Sequence, residues 1–364
     1  MKLRDARVGP FRLTLRALVD GANGGQRSGV LISLLDDESY VGRGEATPLV
    51  AFGTEPFSTT ITLSNEICAK LLGLPVPSSC EDVERLLANF PQLSSAPATR
   101  CGLESALLDL AAQHAVRPLA SFLSVSARST VPVNALLSAS EPDELAKEAS
   151  TAIEQGFRVV KVKVGRRALS EDAKRLIAVR RAAGAEVKLR IDANGSWTEA
   201  EAATALRGLS PLNLELCEQP VAASNHDALR RLRRLVNCPI AADESVSQPD
   251  ASSRLLDGED GPAADVLVLK PMALGGLLPA LRLARRADEV GVGYYVTSSL
   301  DGVVARVGAA HLAAAVPKAE WASGLAVGQL FEEDTGTDPC PPRQGQIRLP
   351  LEPGLGLSPS WGRA

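Results

Sequence analysis

Lys163, Asp192, Glu218, Asp243 and Lys270 recur along the chain at steps of about one strand–helix unit. Each stands at the end of a short apolar run, and each can do chemistry. Three carboxylates brought together repel strongly in a low-dielectric interior, so a site built from them needs a cation. Oxygen donors of this kind suit a hard divalent ion, Mg2+ or its stand-in Mn2+. The flanking lysines suggest what the ion would serve. Only nine of the 39 basic residues are lysine, yet Lys161, Lys163 and Lys270 all fall in strand-like runs. A lysine beside other cations can give up its proton, which arginine cannot. Together these groups suit removal of the weakly acidic proton next to a carboxylate, with a metal and an ammonium stabilising the enediolate. Structural ion pairing would explain any one carboxylate alone, but explains less well five charges at a common strand position.

These residues need a scaffold that repeats. The run Val159–Val164 alternates Val160, Val162 and Val164 with Lys161 and Lys163; Val187–Asp192 alternates Val187, Leu189 and Ile191 with Lys188, Arg190 and Asp192. Between them Ser170–Gly184 predicts a helix, with Ser170 as N-cap and Gly184 as its stop. The same alternation predicts strands at Val131–Leu136, Leu212–Glu218, Pro239–Ala242, Asp265–Lys270, Gly293–Thr297 and Ala319–Ala322. Helices are expected at Glu141–Gln155, Thr198–Leu209, Ser224–Val236, Gly276–Val290 and Gly302–Ala315, with the shortest connection at Gln248–Asp257. Eight strands alternating with helices is the count of a (β/α)8 TIM barrel, an α/β fold whose C-terminal mouth would gather the charged strand ends. An open doubly wound sheet is the alternative, but the Gly-rich first turn it favours is missing.

The N-terminal third differs. Phe11–Leu18, Gly29–Leu35 and Ser39–Gly44 predict antiparallel strands, with a turn at Asp36-Asp37. Ser58–Leu72, Cys80–Asn89 and Ala98–Ala115 predict helices, and Leu103, Leu107, Leu108 and Leu110 give the last an apolar face. Gly21–Gly29 and Pro48–Pro56 predict loops. Gly42-x-Gly44 suits a hairpin better than a phosphate site, since no helix follows it. The expected organisation is an α+β lobe at 1–125, a barrel at 126–325, and a tail at 326–364 that carries a strand-like run at Gln346–Leu351 and returns to the lobe.

Composition excludes several classes. A net charge of −4 over 364 residues, with no basic cluster among aromatics, gives no case for nucleic acid. No apolar run approaches the length of a membrane span, and Met1–Arg7 has no apolar signal core, so a cytoplasmic protein is expected. Six scattered cysteines without a C-x-x-C are expected to be reduced, and three histidines make a zinc site unattractive. The expected partner is a small carboxylate; nothing indicates an oligomeric state.

Lys161-Val162-Lys163, Asp192-Ala193-Asn194, Glu218-Gln219-Pro220, Asp243-Glu244 and Lys270-Pro271 together resemble the enolase superfamily, in particular its muconate lactonizing enzyme subgroup, over nearly the whole chain. The resemblance implies a capping domain, made by the N-terminal lobe and tail, whose two loops cover the mouth. It implies Asp192, Glu218 and Asp243 as Mg2+ ligands, Lys163 and Lys270 as opposed lysines, and Lys161 beside the base; a lysine base with Mg2+ is the known device of that superfamily. Asn194 and Glu244 follow as supporting groups.

Gly44-Glu45-Ala46-Thr47-Pro48-Leu49, Arg190, Leu269-Lys270-Pro271, Thr297-Ser298-Ser299 and Gly324-Leu325-Ala326-Val327-Gly328 are most similar to the o-succinylbenzoate synthase family of menaquinone biosynthesis. Those enzymes remove water from a cyclohexadiene carboxylate that bears a succinyl group. The resemblance implies Lys163 as base and then acid, Lys270 as stabiliser of the enediolate, and Arg190, Ser298, Ser299 and the Gly324 backbone as holders of the substrate's carboxylates. The chain departs from that family at Leu300-Asp301, where Glu is usual. N-succinylamino acid racemases share almost all of these motifs and are the alternative. Ser323-Gly324-Leu325 lacks the Asp-x-Asp of dipeptide epimerases. A barrel that binds a small acid without turning it over is a third reading, opposed by the intact set of acids and lysines.

Overall fold

The computed structural model describes residues 1–16, 25–248, 250–258 and 260–358. Strands β1 (Leu3–Thr14), β2 (Gln26–Asp36) and β3 (Val41–Ala46) form an antiparallel sheet. The Asp36 carboxylate accepts the Glu38 and Tyr40 amides at 3.0 and 2.9 Å, which closes the β2–β3 turn. The expected Gly-rich loop lies outside the described residues up to position 24, and from Gln26 the chain is already strand. Helices α1 (Phe57–Leu71), α2 (Cys80–Ala88), α3 (Pro97–His114) and the short α4 (Leu119–Leu123) follow. The apolar face expected for α3 is an underestimate: from Ala98 to Ala112 every residue but Arg100 is buried, fourteen in all. The reason is close packing on two sides. A Cβ on Gly44 would stand 1.9 Å from the Gly102 carbonyl, and one on Gly42 2.1 Å from that of Ala106. Gly42 and Gly44 thus let β3 lie directly on α3, which is neither a phosphate loop nor a hairpin requirement.

After β4 (Thr130–Pro132), seven parallel strands pair in sequence: β5 (Ala135–Leu137), β6 (Val159–Lys163), β7 (Lys188–Asp192), β8 (Leu214–Glu218), β9 (Ile240–Ala242), β10 (Val266–Leu269) and β11 (Gly293–Val296). Helices α5 (Pro142–Glu154), α6 (Leu169–Ala183), α7 (Glu199–Gly208), α8 (His226–Leu235), α9 (Ala251–Leu256), α10 (Pro271–Leu274), α11 (Leu277–Glu289) and α12 (Val303–Ala315) alternate with them. Gly184 ends α6 as expected, at φ 80°, but the N-cap is Ala168 and not Ser170.

The eighth strand expected at Ala319–Ala322 is not a regular strand. Its place is taken one step later by isolated parallel bridges, Ser323 to Val133 and Gly324 to Thr297, which join the two edges of the sheet. The architecture is therefore a seven-stranded parallel sheet of TIM-like form, joined at its edges through two residues. The tail adds β12 (Gln346–Arg348), antiparallel to β4, and reaches α3, where the Leu355 amide donates to Asp109 at 2.7 Å. All six cysteines are unpaired. Among the described residues no helix is long and apolar enough to cross a membrane.

Three helices begin on carboxylates sent from elsewhere in the chain. Glu55 accepts the Ala98 and Thr99 amides at the start of α3, at 3.1 and 2.7 Å. Glu104 of α3 accepts the Leu278 amide of α11 at 2.9 Å. Glu45 of β3 accepts the Gly302 and Ala305 amides of α12 at 2.6 and 3.2 Å. Glycine at both barrel N-caps makes room: a Cβ on Gly276 would meet Glu104 at 2.2 Å, and one on Gly302 would meet Glu45 at 2.7 Å. These carboxylates satisfy amides that a helix leaves unpaired.

Burial, and then the neighbouring Asp301, push the Glu45 carboxyl up to about 7 from its ordinary 4.5. Between those two values the folded chain holds a proton that the unfolded chain has lost. The Glu45 contribution to stability is therefore greatest below about 4.5 and falls as pH rises through about 7. Glu45→Gln is expected to flatten that part of a Tm-against-pH curve. Glu45→Ala, which strands two buried amides, is expected to cost about 2–3 kcal/mol in denaturant unfolding. An unchanged curve in both variants would remove Glu45 from this role.

Candidate active site

The parallel register decides which side chains meet. Lys163 lies opposite Asp192, and Asp192 opposite Glu218, so these three share one row at the C-terminal ends of β6, β7 and β8. Glu218 lies opposite Ala241, which sets Asp243 two residues further along and on the same face. The common height expected for all five charges is thus a row of three with Asp243 and Lys270 stepped above it, the stagger of tilted strands. The carboxylate strands lie between the two lysine strands in the sheet order.

Charge is neutralised inside the group. Lys161 donates to Asp192 Oδ2 at 3.0 Å and to Glu218 Oε1 at 2.9 Å. Burial alone would lower its pKa; Asp192, Glu218 and Asp243 outweigh burial and hold the ammonium above its ordinary value. Lys270 donates to Asp243 Oδ2 at 2.5 Å and stands 3.8 Å from the centre of the Phe52 ring, a cation–π contact. Burial pushes the Asp243 carboxyl up to about 6, with Lys270 opposing and Glu244 and Asp192 adding to the rise. Each remaining carboxylate oxygen has its own history. Asp192 Oδ1 accepts the Asn194 amide at 3.0 Å, and Glu218 Oε2 accepts the Tyr295 hydroxyl. Asp243 Oδ1 is buried with no partner.

The acids and lysines line one open cavity of about 650 Å3 together with Asn194, Ser298, Ser299 and Gly324. The loop expected at Pro48–Pro56 contributes Leu49 and Phe52 to its wall. Two expected members stand elsewhere. Arg190 is fully buried beneath the cavity, paired with Glu215 at 2.5 Å and with the Ala322 carbonyl at 2.7 Å, and its guanidinium lies 4.6 Å from the Tyr295 ring centre. It supports the tyrosine that holds Glu218 and does not line the cavity. The reason is strand parity: Arg190 faces inward like Asp192, but one pleat deeper. Glu244 is turned to Asn194, whose side chain donates to it at 3.0 Å.

The departure at Asp301 has a local explanation. Asp301 accepts from the Ser298 hydroxyl at 3.1 Å and the Ser299 amide at 3.0 Å, so it fastens the serine turn from behind. Ser299 Oγ is left buried without a partner. Several participants had no clear signal. Gln219 accepts the Asp243 and Ser245 amides at 2.9 and 3.1 Å and so sets the Asp243 backbone. Asn134 lines the cavity with an unpartnered Oδ1. Tyr295 reads as a core aromatic, although its parity with Thr297 places it on the inner face.

Residues 144–363 match the family described as enolase C-terminal domain-like. The chain belongs to the enolase superfamily. Enzymes of this superfamily typically use Mg2+, and its members similar to this chain include lyases, isomerases and epimerases. The chain is 28% identical to muconate cycloisomerase 1 of Acinetobacter baylyi over 332 residues, covering 90% of this chain and 88% of that one. It is 41% identical to an o-succinylbenzoate synthase of Thermobifida fusca over 222 residues, 60% of this chain and 67% of that one. Its structure is similar to the N-succinyl Arg/Lys racemase of Bacillus cereus, with a TM-score of 0.89 at 27% identity over 98% of this chain and 95% of that one. It is also similar, with a TM-score of 0.88 at 26% identity over 98% of this chain and 100% of the other, to an Enterococcus faecalis dipeptide epimerase complexed with Mg and the dipeptide L-Leu-L-Tyr.

Among the described residues no three metal-binding side chains close around a point as they stand. The ammonium of Lys161 spans Asp192 and Glu218, and that of Lys270 holds Asp243. The donor set nevertheless fits a hard cation: three carboxylates on adjacent strands, one with a buried oxygen that lacks any partner.

Proposed function

We propose that the protein is an o-succinylbenzoate synthase, which dehydrates 2-succinyl-6-hydroxy-2,4-cyclohexadiene-1-carboxylate to 2-succinylbenzoate. The observation that carries this reading is Lys163 and Lys270 lining one cavity on either side of three carboxylates. The 41% identity to a synthase supports it within the superfamily. Asp192, Glu218 and Asp243 would hold Mg2+, with Lys270 released from Asp243 as they close. When bound, the ion supplies positive charge against the dianionic enediolate.

The chain's own residues do the rest. Lys163 Nζ takes the proton from the ring carbon that bears the carboxylate. The neighbouring hydroxyl then leaves with a proton returned by Lys163, and the ring becomes aromatic; one water is lost and Lys163 is regenerated. The Lys270 ammonium stands where negative charge accumulates and keeps its own proton. Ser299, whose buried hydroxyl has no partner, offers it to a substrate carboxylate, and Ser298 holds the turn through its bond to Asp301.

Racemisation of N-succinylamino acids is the second reading, because it needs two acid–base lysines and both line the cavity. A direct assay separates the two: loss of the cyclohexadiene acid by chromatography, beside solvent-deuterium exchange into N-succinylamino acids by NMR. Exchange without dehydration would replace the synthase reading by the racemase one. Lys270→Arg sharpens the comparison. Its fixed charge is expected to spare dehydration to within about tenfold while racemisation falls about a thousandfold. Equal losses would leave the two roles of Lys270 undistinguished and remove this support for a synthase.

A further inference from the structure

Among the residues that wall the cavity, Leu300 has an unusual backbone. Its φ is 60°, in the left-handed region that a bulky L residue rarely adopts. It stands between Ser299 and Asp301 in the serine turn. Asp301 fastens the Ser298 hydroxyl and the Ser299 amide from within that turn. The Leu300 carbonyl is held from the N-terminal lobe, where Arg27 Nε on β2 donates to it at 3.2 Å. The Leu300 side chain packs on the cluster of Leu13, Leu15 and Phe331, so lobe and tail grip it as well.

Arg27 is 4% exposed, and the rest of its guanidinium is engaged too. Nη1 donates to the Pro48 carbonyl at 2.7 Å and Nη2 to the Thr47 carbonyl at 2.9 Å. Just beyond them the chain sends Leu49 and Phe52 to the cavity wall. One rigid planar group therefore spans two walls of the cavity, the lobe's loop and the barrel's serine turn. Burial disfavours its charge, while Asp301 and Glu45 favour it. A left-handed residue other than glycine costs backbone free energy and persists where its surroundings enforce it. Ser299, one residue earlier, would turn with a relaxing Leu300, and Ser299 Oγ is the buried hydroxyl that lacks a partner. We propose that Arg27 is a positioning residue: its Nε holds the Leu300 peptide in the left-handed conformation, and that conformation aims the Ser299 hydroxyl at a substrate carboxylate. This deepens the functional reading above and rests on it only for the group that Ser299 meets.

Arg27→Lys is the informative change. Lysine keeps the charge beside Asp301 and Glu45 and can reach the Thr47 and Pro48 carbonyls, but it has no donor in place of Nε. With Mg2+ present, dehydration of the cyclohexadiene acid and solvent-deuterium exchange into N-succinylphenylalanine are followed side by side. The proteins are wild type, Arg27→Lys, Leu300→Gly and the R27K/L300G double variant. Arg27→Lys is expected to raise KM about tenfold, with kcat within about twofold. Glycine enters the left-handed region without penalty, so over Leu300→Gly the same lysine should move KM by less than about twofold. An equal rise in both backgrounds, or a rise in neither, overturns the proposal. Loss of the fold in Arg27→Lys that Leu300→Gly does not rescue makes Arg27 a structural clamp and also overturns it. The expected coupling in exchange without any dehydration keeps the role of Arg27 and overturns the synthase reading. Crystals of Arg27→Lys give a readout that needs no substrate. Leu300 is expected to leave the left-handed region there, and a φ still near 60° overturns the role of Arg27 whatever the enzyme turns over.

Discussion

Lys163→Ala should abolish dehydration, with kcat falling about a thousandfold, while Mg2+ affinity stays within a few-fold of wild type. The size follows from what general acid–base catalysis contributes when one amine both removes and returns the proton. The selectivity follows from position. Lys163 ends β6 opposite Asp192 and lines the cavity, while it is Lys161 that donates to Asp192 and Glu218 and Lys270 that donates to Asp243. Removing its charge near the acids would, if anything, favour a cation. Chromatographic assay of the product and calorimetry with Mg2+ read the two quantities separately. Substantial turnover in the variant would take Lys163 out of the base role. A large loss of Mg2+ affinity would instead make its role one of holding the carboxylate row.

Asp243→Asn should weaken Mg2+ binding by on the order of 100-fold, since groups that merely support a metal ligand already cost about 10–100-fold when lost. Of Asp192, Glu218 and Asp243, the substitution removes the charge of the acid whose second oxygen is buried without a partner. It also strips Lys270 of its carboxylate. The same acid predicts a pH dependence. Burial raises Asp243 to about 6, so below that value a proton occupies the carboxylate and competes with the ion. Mg2+ affinity should therefore fall as pH drops through about 6, and the Asn variant should lose that slope. Unchanged affinity in the variant would count against Asp243 as a ligand.

How far the sequence carried the structure depends on the reach of each interaction. Strand alternation is local, so β6 and β7 and the inward charge of Lys161, Lys163 and Asp192 were legible directly. Their row with Glu218 follows from spacing, because parallel strands of similar length pair end to end. The step up to Asp243 was not legible, since register is set by how neighbouring strands tilt and not by counting along one chain. Arg190 was misplaced for a related reason: alternation tells which face a side chain takes but not how deep it sits. The missing eighth strand shows the limit of propensity. Ala319–Ala322 has strand-like residues, but the edges of the sheet are joined by Ser323 and Gly324, whose backbones come close enough for a Cβ on Gly324 to meet Thr297 at 2.4 Å. Glu45 was visible within Gly44-Glu45-Ala46-Thr47-Pro48-Leu49, but its partner lies 257 positions away, and no local pattern announces such a pairing.

The carboxylates that start α11 and α12 leave the ribosome long before the helices they serve. Glu45 and Glu104 are already made, and their own strand and helix can form, when Gly276 and Gly302 emerge. The acceptors for the last two long helices are thus translated before them, and the turn that presents Ser298 and Ser299, fastened locally by Asp301, is translated between the two. A circularly permuted gene that moved residues 1–125 to the far end would reverse that order, giving a chain with the same contacts available but its final helices made before their anchors.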